Sequence, residues 1–222
     1  MKLAIFDIDG TLIRGGSERL FWRRLLLRGK QGPRQIAAFV LFMARYLPIG
    51  GIHTPRKNKA YLSGLRADEV EALAREFVAE KLVHRLFEPA VARLRQHLQR
   101  GDVVVLMSGT LYPIARALAD HLGVTYVCAT LISQRNGRFL AQPPEMHPYD
   151  AAKLSIVQQL AGELGFELED IAAYGDSKRD LFLLRAVGEP VAVRPDSELL
   201  RVALEQDWEI IAEPAKESAL LR

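Results

Sequence analysis

The pattern of apolar and polar positions predicts one strand at the start of the chain and then a series of helices. Residues 3–6 are uniformly apolar, which is typical of a buried strand. Apolar side chains then recur at helical spacing in four successive segments, which lie around Phe21, over 35–47, from Pro55 and over 68–86. Glycine and proline residues separate most of these segments. The stretch 17–86 is therefore predicted to be all-helical.

Beyond residue 88 the pattern changes to an alternation of strands and helices. Apolar runs predict five further strands, over 103–107, 124–128, 171–174, 191–193 and 208–211. Helices are predicted up to 100, over 113–122, from Pro148 to 164, over 178–186 and over 197–205. Because parallel strands need such crossover helices, we expect an α/β fold with a doubly wound, Rossmann-like parallel sheet. Asn136 and Gly137 predict the turn of a hairpin over 131–141.

These two patterns predict two structural units. The α/β core is expected over 1–14 and 88–222, and the all-helical stretch over 15–87 is expected to be a cap domain inserted into it. With 222 residues, the chain is long enough for a well-buried core and a smaller insert.

The composition is that of an ordinary globular protein, with 49% hydrophobic and 26% charged residues. Cys128 is the single cysteine, so an internal disulfide is excluded and the disulfide framework of a secreted protein is not supported. Asp7 and Asp9 interrupt the opening apolar run, so no signal peptide is expected there. We expect a cytoplasmic protein.

Basic residues are concentrated around the first predicted helix. Glu18 is the one acidic residue among seven basic ones, which are Arg14, Arg19, Arg23, Arg24, Arg28, Lys30 and Arg34. Such a cluster is compatible with an anionic partner or with a solvated helix face. A nucleic acid is not expected as the partner, because no recognition motif accompanies the charge.

The apolar stretch over 36–49 has two interpretations. It contains Arg45 and is shorter than the ~20 residues that span a bilayer. We interpret it as a buried helix of the cap, and contact with a membrane surface is the alternative. The sequence leaves the oligomeric state open.

Polar residues directly follow three of the predicted strands. Asp7 and Asp9 follow the first strand, the Ser-Gly-Thr sequence at 108–110 follows the second, and the Gly-Asp-Ser sequence at 175–177 follows a later one. In open α/β sheets the ligand site lies beyond the carboxyl ends of the strands. Asp7 and Asp9 share a strand face, so they repel one another unless a cation or a shared proton offsets the repulsion. A site for Mg²⁺ and phosphate would supply that compensation.

Four motifs, in order, resemble the signatures of the haloacid dehalogenase superfamily: DIDGT at Asp7, SGT at Ser108, Lys153 within YDAAK, and GDSKRD at Gly175. The resemblance covers the whole predicted core. The helical insert after the first motif, the hairpin after the second and the YDAAK sequence are similar to the phosphoserine phosphatase-like branch, subfamily IB. The resemblance implies a Mg²⁺-dependent phosphatase that acts on a small phosphorylated metabolite through an aspartyl phosphate. A phosphotransferase with the same intermediate, and a non-catalytic module that binds anions or a lipid surface, are the alternatives.

The resemblance also implies a role for each motif residue. Asp7 would be the nucleophile, Asp9 the general acid and base, and Lys153 would neutralise phosphate and hold Asp7 ionised. The phosphate-binding residues would be Gly10, Ser108 and Gly109. Mg²⁺ would be bound by Asp7, the backbone carbonyl of Asp9, Asp176 and, directly or from the outer coordination sphere, Asp180.

Substrate recognition is expected from the helical cap, where the candidates are Glu18, Arg56, Lys57 and Lys59. Phosphoserine phosphatases carry an acidic cap residue just after the first motif, but here Gly15 and Gly16 change that spacing. Phosphoserine is therefore not singled out, and the basic, apolar cap equally permits a larger anionic or amphiphilic phosphomonoester. Five histidines lack metal-ligand spacing and are predicted to be structural or surface residues: His53, His84, His97, His121 and His147.

Overall fold

The computed structural model describes residues 1–51 and 54–213. The strands, in chain order, are β1 (Leu3–Phe6), β2 (Val103–Leu111), β3 (Tyr126–Thr130), β4 (Gln134–Arg135), β5 (Arg138–Phe139), β6 (Ile171–Gly175), β7 (Glu189–Val193) and β8 (Glu209–Ile211). Six of them form one parallel sheet in the order β3-β2-β1-β6-β7-β8, and β4 pairs with β5 in an antiparallel hairpin. The predicted doubly wound parallel sheet is confirmed.

Helices cover both faces of the sheet. In chain order, the helices of the molecule are α1 (Ser17–Leu27), α2 (Pro33–Gly50), α3 (Thr54–Lys57), α4 (Ala67–Phe77), α5 (Glu88–Gln99), α6 (Tyr112–Leu122), α7 (Ala151–Leu164), α8 (Leu181–Leu184) and α9 (Ser197–Glu205). Ala4 and Phe6 share one core with residues of α5 and α6, whereas Leu3 and Ile5 share a second core with residues of α7, α8 and α9. Burial on both faces explains why β1 is apolar throughout.

Residues 17–85 form a helical insert between β1 and α5. α1 to α4 and short helical turns follow one another there, with no strand among the described residues of this stretch. α4 packs against α6, and α1 contacts β2, so the insert is tied to the core. The helix predicted over 68–86 is instead α4 followed by a π-helical turn (Val78–Leu82) and a 3₁₀ turn (Val83–Arg85). The wider π turn keeps both Val78 and Leu82 buried.

α2 is exposed, so the interpretation of residues 36–49 as a buried helix is wrong. Phe42 is its one buried residue, whereas its exposed apolar side chains include Ile36, Val40, Leu41, Leu47 and Ile49. The main contacts of α2 are with α3 and with a 3₁₀ turn (Ala60–Leu62). Because these contacts lie along one side while apolar residues extend around the helix, most of its apolar surface remains uncovered.

The other differences from prediction are local. β2 continues past 107 to Leu111 with a register irregularity between Ser108 and Leu111, so Ser108 lies in the strand and not after it. The helix predicted over 178–186 is a 3₁₀ turn (Lys178–Asp180) continued by α8. Asn136 and Gly137 both have positive φ, and the predicted hairpin is confirmed. Within the described part of the chain, no helix has the length and apolar character needed to cross a membrane.

Candidate active site

The carboxyl ends of β1, β2 and β6 meet in the middle of the sheet. Phe6 at the end of β1 is in register with Leu106 on one side and with Tyr174 on the other. The residues that follow these three positions therefore come together although they are far apart in sequence. They face a cavity of about 800 Å³. The predicted site residues that line it are Asp7, Asp9, Glu18, Arg56, Lys59, Ser108, Gly109, Lys153, Asp176 and Asp180.

Lys153, in the first turn of α7, links two carboxylates in this cavity. Its Nζ donates hydrogen bonds to Asp7 Oδ1 and to Asp180 Oδ1, both at 2.6 Å, and all three side chains are buried. Burial lowers the pKa of Lys153, but the carboxylates of Asp180 and Asp7 raise it by more, so the ammonium group stays charged. Burial raises the pKa of Asp7 well above its ordinary range, and Lys153 opposes that rise. Lys153 thus favours the ionised form of Asp7.

Asp180 is held by donors on both of its oxygens. Oδ1 accepts from Lys153, and Oδ2 accepts from the backbone N–H of Ser177 at 3.2 Å and from its hydroxyl at 3.3 Å. Ser177 and Asp180 form a capping box at the start of the 3₁₀ turn that precedes α8. The geometry therefore ties Asp180 to the orientation of Lys153.

Asp9 is fixed by the amino-terminal end of α1. Its Oδ1 accepts a hydrogen bond from the backbone N–H of Ser17 at 2.8 Å, and Ser17 Oγ lies 2.7 Å from Thr110 Oγ1. Burial raises the pKa of Asp9 to about 6, although the hydrogen bonds from Ser17 lower it. A carboxyl group with such a pKa can both give and take a proton near neutral pH.

Asp176, directly after β6, lies against Gly10. Gly10 has a φ of +94°, and a β-carbon at this position would lie 2.0 Å from Asp176 Oδ2. Glycine is therefore needed at position 10 both for the backbone conformation and for the space. Burial raises the pKa of Asp176 to about 7, and the charge of Asp180 adds to the rise.

The acidic side chains of this site suit a small divalent cation. Burial raises the pKa values of Asp7 and Asp176, the charge of Asp180 adds to both rises, and Lys153 lowers both. Over residues 1–51 and 54–213, no three His, Cys, Asp or Glu side chains form a ready-made metal cage. Mg²⁺ does not need one, because it binds through one or two carboxylates and keeps several waters. The donors that it would use here are Asp7, Asp176 and the backbone carbonyl of Asp9.

Ser108 and Gly109 form another wall of the cavity. Ser108 Oγ accepts a hydrogen bond from the backbone N–H of Thr110 at 3.2 Å, and the carbonyl of Gly109 accepts one from Thr130 Oγ1 at 2.6 Å. These contacts fix the backbone at the end of β2. A hydroxyl group that accepts from the chain keeps its own hydrogen for a bound ligand.

Glu18 reaches the cavity but is already paired. Its two oxygens lie 2.7 and 2.5 Å from Lys59 Nζ, and the Tyr61 hydroxyl donates to Oε1 at 2.6 Å. Lys59 is buried, so the pair balances its charge inside the helical insert. Lys57, the remaining cap candidate, is exposed and does not line the cavity.

Arg56 connects the helical insert to the core through Tyr149. Its guanidinium group donates a hydrogen bond to the Tyr149 hydroxyl and lies over the Tyr149 ring at 4.7 Å from the ring centre. His147 stacks on the same ring and also lines the cavity. The prediction that every histidine is a structural or surface residue is therefore incomplete for His147, and His53 lies outside the described residues.

The sequence interpretation missed the apolar wall of the cavity. Trp22 of α1 and Ile36 and Phe39 of α2 line the part that the helical insert contributes. Helical periodicity marks such residues as apolar helix positions, but it does not show that they face a cavity. For Tyr149 a signal was present, because it belongs to the YDAAK motif that carries Lys153.

Residues 4–185 match the family model of haloacid dehalogenase-like hydrolases. The chain belongs to this family. It is 30% identical to the phosphoserine phosphatase SerB1 of Mycobacterium tuberculosis, over 93% of this chain and 69% of the relative. It is also 30% identical to a histidinol-phosphatase of Neisseria meningitidis, over 95% of this chain and 98% of the relative.

A solved structure has the same fold as this haloacid dehalogenase-like hydrolase. A protein of unknown function from Bordetella pertussis is similar with a TM-score of 0.78 and 28% identity, over 94% of this chain and 97% of the other. The resemblance of the four motifs is confirmed, and the comparisons place the chain with the phosphatases of the phosphoserine phosphatase-like branch. The two named relatives differ in substrate, so membership of the branch does not specify one.

Proposed function

We propose that this hydrolase is a Mg²⁺-dependent phosphomonoester phosphatase that works through an aspartyl phosphate on Asp7. The observation that carries the proposal is the contact of Lys153 Nζ with Asp7 Oδ1, at 2.6 Å, in a cavity that Asp9 also lines. The buried ammonium group of Lys153 opposes the rise that burial causes in the pKa of Asp7 and so favours its ionised, nucleophilic form, while Asp9, with a pKa of about 6, can hold a proton. A candidate nucleophile and a candidate acid thus line one cavity.

In the first step, an Asp7 carboxylate oxygen attacks phosphorus and the bond from phosphorus to the leaving oxygen breaks. Asp9 gives its proton to that oxygen, so the product leaves as an alcohol. The hydrogen bond from the Ser17 backbone to Asp9 stabilises the carboxylate that remains. Asp7 now carries the phosphoryl group.

In the second step, the carboxylate of Asp9 takes a proton from water and the oxygen of that water attacks phosphorus. The bond between phosphorus and Asp7 breaks, phosphate is released, and both aspartates return to their starting state. One side chain can serve as acid and then as base because the pKa of Asp9, about 6, lies close to neutral pH.

The remaining residues hold the phosphate. The Ser108 hydroxyl and the backbone N–H of Gly109 would donate hydrogen bonds to its oxygens, and Lys153 would neutralise charge next to Asp7. Mg²⁺, held by Asp7, Asp176 and the carbonyl of Asp9, would supply further charge stabilisation for the phosphoryl group. Asp180 acts by orienting Lys153, because both of its oxygens already accept hydrogen bonds.

The substrate proposed is a small phosphorylated metabolite, and the residues over 15–87 would act as the cap that recognises it. Relatives are named for phosphoserine and for histidinol phosphate. In this chain the carboxylate of Glu18 is paired with Lys59, so it is not free to bind a substrate ammonium group. Apolar surface is offered instead by Trp22, Ile36 and Phe39. This surface favours a substrate whose organic group is partly apolar or aromatic.

Release of inorganic phosphate tests the proposed function. Wild-type protein should hydrolyse an aryl phosphate, and members of a phosphorylated-metabolite panel, with Mg²⁺ and not with EDTA. Asp7→Asn should lower kcat by roughly a thousandfold or more, because the nucleophile is lost. Asp170→Asn, at an exposed carboxylate outside the cavity, is the matched control and should leave kcat unchanged. Unchanged hydrolysis by Asp7→Asn would overturn the mechanism, and transfer to an added alcohol would show a phosphotransferase.

A further inference from the structure

The exposed side of α2 is a largely apolar surface. Ile36, Val40, Ala44 and Leu47 follow one another at helical spacing along it, and Leu41 is 67% exposed. The opposite side of the helix, around Phe42 and Tyr46, faces the rest of the insert. Large contiguous apolar patches on a soluble domain mark interaction sites. We call the exposed side the α2 face.

The chain around the α2 face is strongly basic. Between Arg19 and Ala67 there are eleven arginines and lysines and no aspartate or glutamate. The net charge of the whole chain is +3, so the residues outside this stretch carry a net charge of −8. The charge of the molecule is thus divided between a basic apolar insert and an acidic core.

Only some of these arginines and lysines form ion pairs with acidic residues of the protein. Arg24, Arg28 and Lys30 form ion pairs with glutamates on α4 or near it. Six others are exposed and form no ion pair within the part of the chain that the structure describes: Arg19, Arg23, Arg34, Arg45, Arg56 and Lys57. On a helical projection Arg34 and Arg45 lie beside Leu41, at the edge of the α2 face. The guanidinium group of Arg34 lies against Gly64, and that of Arg45 lies over the Tyr46 ring, 5.6 Å from its centre, so both side chains also contact the protein. An apolar stripe bordered by arginines is the pattern of a helix that lies in a membrane interface.

We infer that the α2 face binds the surface of an anionic lipid bilayer. The apolar side chains would enter the boundary between headgroups and acyl chains, and the bordering arginines would contact the anionic headgroups. Charge argues against a second copy of this chain as the occupant, because pairing two α2 faces would bring two strongly basic inserts together. Ile36 and Phe39 also line the cavity, so the protein, when bound to a membrane, would hold its cavity close to the lipid surface.

Vesicle co-sedimentation with the full chain tests this inference. The protein should sediment with vesicles of about 30% phosphatidylglycerol in phosphatidylcholine, bind pure phosphatidylcholine at least about tenfold more weakly, and be released as salt is raised. Leu41→Glu should weaken binding to the anionic vesicles by about tenfold or more, because it places a charge in the apolar interface. Leu204→Glu on α9 is the matched control, because Leu204 is also 67% exposed but belongs to the α/β part of the chain, away from α2. The Leu204→Glu variant should bind as wild type does.

Two further measurements keep the outcome clear. Circular dichroism and thermal unfolding establish that Leu41→Glu folds. Asp7→Asn should bind the vesicles as wild type does, so that loss of the proposed hydrolysis and loss of membrane binding are distinguished. The inference is overturned if the protein does not sediment with anionic vesicles, if Leu41→Glu and Leu204→Glu bind equally, or if light scattering shows a dimer that Leu41→Glu dissociates.

Discussion

At the scale of single residues, Gly10 controls where the Asp176 carboxylate lies. Its backbone turns with positive φ immediately after the two aspartates that follow β1, and Asp176 occupies the space that any β-carbon would take. Two requirements therefore meet at one position: a left-handed backbone and a vacant side-chain volume. The first could be inferred from the DIDGT sequence alone, whereas the second depends on β6, which is distant in sequence.

Gly10→Ala should abolish Mg²⁺-dependent hydrolysis, because the new methyl group would displace Asp176. The measurement is phosphate release as Mg²⁺ is titrated, together with the rise in Tm that Mg²⁺ produces. Gly101→Ala is the matched control, because Gly101 has a φ of +75° and no atom lies within 4 Å of the position that a β-carbon would take there. Both variants should lose about 1–2 kcal/mol of stability from backbone strain, but only Gly10→Ala should lose activity. Equal activity in the two variants would contradict the proposed position of Asp176.

Asp9→Asn should separate the two chemical steps. An aryl phosphate with a good leaving group needs little help from an acid, so Asp7 would still become phosphorylated. Water would no longer be activated, so turnover should fall by about 10²–10⁴-fold and phosphorylated Asp7 should accumulate. Acid quenching followed by mass spectrometry of the peptide that contains Asp7 measures this directly. If turnover falls and no phosphorylated peptide appears, Asp9 does not act as the base.

At the scale of elements, the sequence predicts most where burial is complete on both faces. β1, β6 and the first part of β2, over 103–107, are apolar runs, and their positions follow from that pattern. The continuation of β2 through the polar residues at 108–110 does not follow from it. α2 shows the limit, because apolar periodicity marks a helix but does not show what covers it. The pairing of Glu18 with Lys59 shows a second limit, since contacts between residues 41 positions apart leave no trace in the local pattern.

The Glu18–Lys59 pair should stabilise the helical insert. Glu18→Gln would leave the buried Lys59 ammonium without its partner, and should lower the free energy of unfolding by roughly 1–3 kcal/mol. Adding Lys59→Met should restore much of the loss, because the buried charge is then removed. Urea unfolding measures both changes. Glu205→Gln breaks an exposed pair with Arg201 on α9 and should change stability by less than about 0.5 kcal/mol. A similar small change for Glu18→Gln would show that the pair is not important for the fold.

At the scale of the whole molecule, the sheet concentrates carboxylates that the unfolded chain keeps apart. The pKa values of Asp9 and Asp176 in the folded protein, about 6 and about 7, lie above the ordinary value of 3.8. At pH values between the ordinary pKa and the raised pKa values, the folded state binds more protons than the unfolded state. The stabilisation from this difference is therefore present at low pH and is lost as pH rises toward 7.

When pH rises and these protons are lost, Mg²⁺ should take their place in balancing the negative charge of the carboxylates. The rise in Tm on adding Mg²⁺ to protein kept in EDTA should be larger at about pH 7.5 than at about pH 5, where protons compete for the carboxylates. Differential scanning fluorimetry measures this rise. In Asp176→Asn the rise should be small at both pH values. An equal rise at both pH values in the wild type would show that Mg²⁺ does not bind to these carboxylates.

The place of β6 beside β1 also governs when the chain becomes reactive during its synthesis. The ribosome makes Asp7 146 residues before Lys153, and β6 with Asp176 comes later still. On the proposed mechanism, a nascent chain in which β6 has not docked would have Asp7 without the second carboxylate of the proposed metal site. Unfinished copies should therefore not react with the phosphate esters around them. Reactivity would arise in one late event, when β6 takes its place beside β1.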